Sequence, residues 1–279
     1  MKSSKNKIKD KKRRNGIAAA LIIASLILLT AGTIAAYKEL KKLWIEQFVI
    51  KDMAEQVSIT SGKMVKADVL AENFGLRNGI NLALIDFDKK RRDVLKKIPN
   101  LKSISVVRRL PGKVTIVAEE RVPVARMNIR ASRSDSGRVV DSEGVVFLCS
   151  RGTRMLPIIR EASAPGTSPG KSLDGRAAAA LLLIELSRDP EFQELGILEV
   201  DTSKQDFLTA TLGGDYSTAK IAWEGMDSPT PAAKADLSRR LKQLLAAIRS
   251  RVGHGAVTWN ATDLTNPERI YADTKNTIQ

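Results

Sequence analysis

The chain has 279 residues, of which 43% are hydrophobic, 28% charged and only 4% aromatic, with a formal net charge of +15. Residues 1–15 hold eight basic side chains (Lys2, Lys5, Lys7, Lys9, Lys11, Lys12, Arg13, Arg14) against Asp10, so +7 of the +15 sits there and +8 is left for the rest. That mildly basic remainder gives no electrostatic footprint for nucleic acid, and a single cysteine, Cys149, excludes an intrachain disulfide.

After the basic tail, Gly16–Tyr37 (GIAAALIIASLILLTAGTIAAY) runs 22 residues without a charge. As a helix rising about 1.5 Å per residue it reaches roughly 33 Å, enough for a hydrocarbon core of about 30 Å. Eight basic residues before it, against Lys38, Lys41 and Lys42 after it, place the N-terminus in the cytoplasm. A cleaved signal peptide is the rival reading, but the run is longer than the usual 7–15-residue apolar region. The next apolar run, Ala177–Ile184, ends after eight residues at Glu185 and spans nothing.

Lys38–Gln47 reads as a helical stem with Leu40, Leu43 and Trp44 on one side. Phe48–Ile59 is strand-like, and Val65–Phe74 has helical spacing that stops at Gly75. Asn81–Ile85 is a short apolar stretch; Asp86 or Asp88 can cap a helix over Asp88–Ile98, which Pro99 ends. Two strands follow, Leu101–Arg108 with Ile104 and Val106 inward and Lys113–Glu120 with Val114, Ile116 and Ala118 inward. The turn Arg109–Gly112 joins them. The order strand–helix–helix–strand–strand predicts a small α+β domain over 48–121.

The remainder, 122–279, reads as a β-rich domain with two helices. Cys149 ends the apolar run Val145–Leu148 and is expected to be a buried, inert thiol. Ser163–Lys171 is a loop by composition and Leu173–Arg188 a helix. Gly196–Val200, Phe207–Leu212 and Thr218–Trp223 are strands, the last two joined through Gly213–Asp215. Pro231–Val252 is the clearest helix, with Ala233, Leu237, Leu241, Leu244, Leu245, Ile248 and Val252 on one stripe. Its basic residues, Lys234, Arg239, Arg240, Lys242, Arg249 and Arg251, are expected on a solvated face. Ala256–Asp263 and Arg269–Asp273 close the chain as strands.

Four pieces in this order resemble the bacterial cell-division family FtsQ/DivIB: NGINLALID (78–86), LKKIPNLKSISVVRRLPGKVTI (95–116), AEERVPVAR (118–126) and VVDSEGVVF (139–147). MLPIIRE (155–161) sits where the family has a short Leu-Pro segment. The resemblance implies that 48–121 is the family's POTRA domain, behind a single-pass membrane anchor. It also implies a non-catalytic scaffold of the divisome at the septum, with the bulk of the chain outside the cytoplasm. Its partners would be small coiled-coil membrane proteins of the FtsB/FtsL type and proteins of septal peptidoglycan synthesis. The family's aspartate–leucine pair corresponds to Asp263–Leu264, but Thr265 and Asn266 stand where an arginine and an aromatic residue are common.

No enzyme site is expected. The one histidine, His254, lies between Gly253 and Gly255, and no glycine-rich phosphate loop precedes a helix, so no cofactor, metal or small-molecule substrate is implied. Other exported POTRA-type adaptors, in secretion or envelope assembly, and an envelope hydrolase using carboxylates are the alternatives. Two surfaces are the candidates for partners. Arg108 and Arg109 flank the turn at Pro111. The terminal strand Arg269, Ile270, Tyr271, Ala272 and Asp273 has no later strand to cover its edge, and strand addition by another chain would use it, with Tyr271 as anchor.

Overall fold

The computed structural model describes residues 28–30, 32–34, 36–42, 44–109, 111–128, 137–162, 166–228, 230–252 and 255–274. The basic tail, most of Gly16–Tyr37, His254 and 275–279 lie outside the described residues. Among those described, no helix is long and apolar enough to cross a membrane. The described residues from 28 to 46 are helical.

Two compact units divide the chain: one takes the residues up to 58 with 75–87 and 106–116, the other 59–74, 88–105 and 117 onward. A three-stranded sheet in the order β1-β3-β2 is built from β1 (Val57–Thr60), β2 (Leu101–Arg109) and β3 (Lys113–Glu120). Helices α1 (Ala67–Phe74) and α2 (Phe87–Lys97) fall between β1 and β2, the order read from the sequence. Val114, Ile116 and Ala118 are buried, as are Leu70 and Phe74 of α1 and Phe87 and Val94 of α2. Gly75 ends α1 at φ +74, in the left-handed region that costs glycine least.

The strand expected over Phe48–Ile59 is broken in two. Phe48–Ile50 pairs with 79–82 through Ile50 N–H to Ile80 O (2.9 Å) and Leu82 N–H to Phe48 O (2.9 Å). A helical turn, Met53–Gln56, then intervenes before β1. Two polar side chains within the segment contribute to the break. Asp52 accepts from Ala54 N–H at 2.8 Å, and Gln56 Oε1 accepts from the N–H groups of Lys51 and Asp52 at 2.6 and 2.9 Å. Side chains that satisfy nearby backbone in this way compete with a ladder.

The second sheet lies wholly in the second unit and has nine strands in the order β12-β11-β10-β9-β8-β7-β4-β5-β6. They are β4 (Ala125–Met127), β5 (Gly137–Val140), β6 (Val146–Cys149), β7 (Ile158–Arg160), β8 (Glu199–Asp201), β9 (Leu208–Thr211), β10 (Thr218–Ile221), β11 (Val257–Ala261) and β12 (Tyr271–Thr274). The sheet is mixed: β10–β11, β7–β8 and β4–β7 run parallel and the other pairs antiparallel. Helices α3 (Gly175–Leu186) and α4 (Pro231–Ser250) share one core with one face of this sheet, including Met127, Ile159, Val200, Ala210, Ile221 and Trp259. The opposite face at β9–β11 carries Thr209, Thr211, Thr218, Lys220, Thr258 and Asn260, all half-buried. The apolar run Ala177–Ile184 is thus a core helix. Helix α4 starts where Thr230 Oγ1 accepts from Ala233 N–H (3.1 Å) with Pro231 at its first position. It ends at Ser250, so Val252 falls beyond the apolar stripe and is 99% exposed.

Charged residues of two quoted motifs make a joint inside the second unit. Glu120, at the end of β3, accepts from the N–H groups of Lys63, Met64 and Val65 at 2.9, 2.8 and 2.6 Å. Arg121 then binds Asp141, whose side chain is 4% exposed, and Glu143 at 3.0 Å. Asp141 Oδ1 also accepts from Val145 N–H (2.8 Å) across the tight turn at Gly144 (φ +80). Lys102 reaches Glu143 at 3.2 Å on the surface.

Removing one partner of a buried pair leaves an uncompensated charge, a loss of about 3 kcal/mol, whereas an exposed pair is worth under about 1 kcal/mol. Arg121→Ala is therefore expected to destabilise the fold by about 3 kcal/mol and Lys102→Ala by less than about 1. Urea unfolding followed by the buried Trp223 and Trp259 measures both; equal, small effects would show that the joint is not held by charge.

Candidate partner interface

Strand β12 is an edge. It pairs on one side with β11, in the register Val257↔Thr274, Thr258↔Asp273, Trp259↔Ala272 and Asn260↔Tyr271, and among the described residues nothing pairs with its other side. The strand begins at Tyr271, two residues later than the sequence indicated. The facing assignment holds: Ile270 packs on the main core and Ala272 stands opposite the buried Trp259. Tyr271, 44% exposed, lies on the other face, where its hydroxyl accepts from Asn260 Nδ2 (2.7 Å) and the Arg269 guanidinium sits 5.9 Å from its ring centroid. The aromatic ring is therefore held in place while still presented to solvent. Asp273 is also exposed.

The opposite edge of the sheet, β6, is covered. Val146 donates to Lys171 O (2.9 Å) and accepts from Gly170 N–H (2.7 Å), and Asn100 Nδ2 donates to Leu148 O (2.6 Å). Cys149 is buried there, with its Sγ 3.1 Å from Arg151 O.

What presents β12 is a residue that the sequence reading placed on the solvated face of α4. Arg240 is 1% exposed. Its two terminal nitrogens donate to the carbonyls of Asp263 (2.6 Å) and Pro267 (3.0 Å), on the connection between β11 and β12. The Asp263 carboxylate in turn accepts from Thr265 N–H (3.0 Å), the Thr265 hydroxyl (2.7 Å) and Asn266 N–H (3.0 Å). The signal was present in the helix itself: position 240 is three residues after Leu237 and four before Leu244, on the buried stripe.

Arg108 and Arg109 belong to the other sheet, at the end of β2. Arg108 stacks over the buried Phe87 with 5.1 Å between guanidinium carbon and ring centroid. Arg109 lines a cleft of about 420 Å³ with Lys51 and Lys113. The two partner surfaces expected from sequence are thus separate features on separate sheets. Among the described residues no group of three or more His, Cys, Asp or Glu side chains could hold a metal.

Comparison with known proteins bears on the three-stranded sheet first. Residues 53–121 match the family model described as POTRA domain, FtsQ-type. The chain is also 24% identical over 91 residues to the cell division protein DivIB of Clostridium acetobutylicum, a match covering 33% of this chain and 34% of that protein. This is therefore a POTRA-bearing α+β protein. Both matches support the resemblance to FtsQ/DivIB proteins that its motifs carry.

Loss of two charge-assisted hydrogen bonds beneath α4 is expected to cost about 3 kcal/mol. Arg240→Ala should therefore lower stability by that order and strip amide-exchange protection from Tyr271–Thr274 before the rest of the sheet. The Asp263 carboxyl is held below its ordinary range, first by the Asn266 N–H and then by the Thr265 hydroxyl. A depressed carboxyl stabilises the fold above its unfolded value and loses that contribution as pH falls through the folded one. Protection of β12 is accordingly expected to be flat between about pH 7 and 5 and to fall only below about pH 4. A decline that begins near neutrality would point to another group.

Proposed function

We propose that this chain is a non-catalytic scaffold of the bacterial cell-division machinery, holding other membrane division proteins in place during septal peptidoglycan synthesis. The observation that carries the reading is an edge strand without a second partner among the described residues, held in position by a buried arginine, in a chain with an FtsQ-type POTRA domain. An edge of this kind binds by strand addition: main-chain groups give affinity and alternate side chains give selectivity. The incoming strand belongs to a small coiled-coil membrane partner of the FtsB type, and Tyr271 is the anchor, flanked by Arg269, Ile270, Ala272 and Asp273. Arg108 and Arg109 supply a second, cationic surface on the POTRA domain that serves recruitment.

Gly16–Tyr37 anchors the chain in the inner membrane with the N-terminus inside, and the bulk lies outside the cytoplasm at the septum. The POTRA domain occupies 48–121 and the β domain 122–279. The chain works through surfaces, with no cofactor and no small-molecule substrate.

Aromatic residues at interface centres contribute about 2 kcal/mol or more, close to thirtyfold in affinity. Tyr271→Glu is expected to weaken co-purification of the small partner by at least that factor, and deletion of 269–279 to abolish it, while the POTRA domain stays folded. Binding at wild-type strength after the deletion would rule out strand addition. A fluorescent fusion should form a midcell band; a uniform envelope signal would instead support a general exported adaptor. Alkaline phosphatase fused after Gln279 should be active, and an inactive fusion in an intact membrane fraction would overturn the orientation.

A further inference from the structure

The cleft beside Arg109 has a built floor. Gln56 donates through Nε2 to Gly112 O (2.9 Å) while its Oε1 accepts from the N–H groups of Lys51 and Asp52. One side chain thus ties the Lys51 segment to the Pro111–Gly112 turn. A Cβ at Gly112 would lie 2.7 Å from that amide and 3.0 Å from Gln47 O, so a side chain there would push Gln56 off the turn. Lys51, Arg109 and Lys113 stand around this floor, all exposed. The remaining lining is Gln47, Val49, Gln56 and the turn, so no carboxylate faces the three cations among the described residues. Among the described residues none of the three forms an ion pair.

The cleft is also fixed to the stem helix, within one unit. Asn81 Nδ2 donates to Ile45 O (3.1 Å), Phe48 N–H donates to the same carbonyl (3.1 Å), and the Trp44 and Phe48 rings meet edge-on at 4.8 Å. Gln47, the first lining residue, follows Tyr37 by ten positions, a rise of about 15 Å in a helix. Trp44 on that stem is 61% exposed, and Leu84, on the short helical turn Leu82–Leu84, is 84% exposed. Aromatic and apolar side chains next to lysines are what an interfacial contact uses.

We propose that this cleft binds the phosphate of an anionic phospholipid in the leaflet from which the anchor emerges. The inference rests on the membrane-anchored reading given above and deepens the recruitment role of Arg109. Arg109 offers phosphate a planar fork, and the two lysines add point charges. A tethered cleft about 15 Å from the end of the apolar segment meets lipid at a high effective concentration, which favours a headgroup over an acidic peptide. Each cation near an anionic surface changes binding about fivefold, so removing three changes it on the order of a hundredfold.

The test uses the full chain in detergent micelles doped with phosphatidylglycerol or phosphatidylcholine, with inorganic phosphate as a parallel arm, and reads retained lipid by native mass spectrometry. Parent protein is expected to retain phosphatidylglycerol about a hundredfold better than K51Q/R109Q/K113Q, with phosphatidylcholine retained equally by both. K38Q/K41Q/K42Q, on the stem, should behave as the parent. Equal retention by parent and cleft variant overturns the proposal. So does loss in the stem variant alone, full competition by inorganic phosphate, or a cleft variant that loses only an acidic peptide ligand. Alkaline extraction of membranes separates the two readings. Release into the soluble fraction sinks the anchor and this inference together, whereas retention without phosphatidylglycerol preference sinks this inference alone.

Discussion

A guanidinium is costly to take out of water unless its donors find acceptors, and Arg240 places both terminal nitrogens on carbonyls of the terminal sheet's last connection while its Nε–H is left without a partner among the described residues. Burial pushes its pKa down, yet it stays a cation at neutral pH. Its two carbonyl partners lie 23 and 27 residues further along the chain, and they fix both ends of the connection from β11 to β12. Ordering a free backbone costs roughly 1–2 kcal/mol per residue. A terminal strand ordered only on binding would subtract that cost from its affinity, whereas one already held by Arg240 and Asp263 does not.

The two edges of the nine-stranded sheet show opposite treatment of one problem. An uncovered edge is a template for unwanted pairing. At β6 the problem is removed: the 170–172 segment and Asn100 occupy the backbone groups. At β12 the edge stays free among the described residues, and Arg269 and Asp273 put one charge of each sign beside it. Charges at a short edge oppose indiscriminate sheet growth while leaving a cognate strand able to match them. Among the described residues the same sheet thus caps one edge and leaves the other without a partner strand.

Periodicity made most of the fold legible. The alternation of Val114, Ile116 and Ala118 and the helical stripe of α4 are each enough to fix an element, because burial of one face dominates their energetics. Local polar chemistry was not legible in the same way. Phe48–Ile59 has strand composition, and the hydrogen bonds of Asp52, Gln56 and the distant Asn78 to its backbone convert its middle into a turn. Arg240 has the residue type of a solvated face but the position of a buried one, and its acceptors lie too far along the chain to be visible from the helix. Strand order was beyond reach as well, since β4 sits between β7 and β5 through pairings that no local pattern encodes.

The residues that carry the family resemblance turn out to be joints. Glu120 collects three N–H groups, Arg121 meets the buried Asp141, and Gly144 closes the turn that presents Asp141. A buried charge tolerates little change in partner geometry, so such residues are the ones by which a distant relationship can be read. An edge strand is under a different constraint, because its backbone pairs with any extended segment and only its side chains select among them. Thr265 and Asn266, which stand where the resemblance would put an arginine and an aromatic residue, here serve the Asp263 carboxylate. Both residues lie on the connection that Arg240 holds, so they help order the approach to β12 instead of facing outward along its edge.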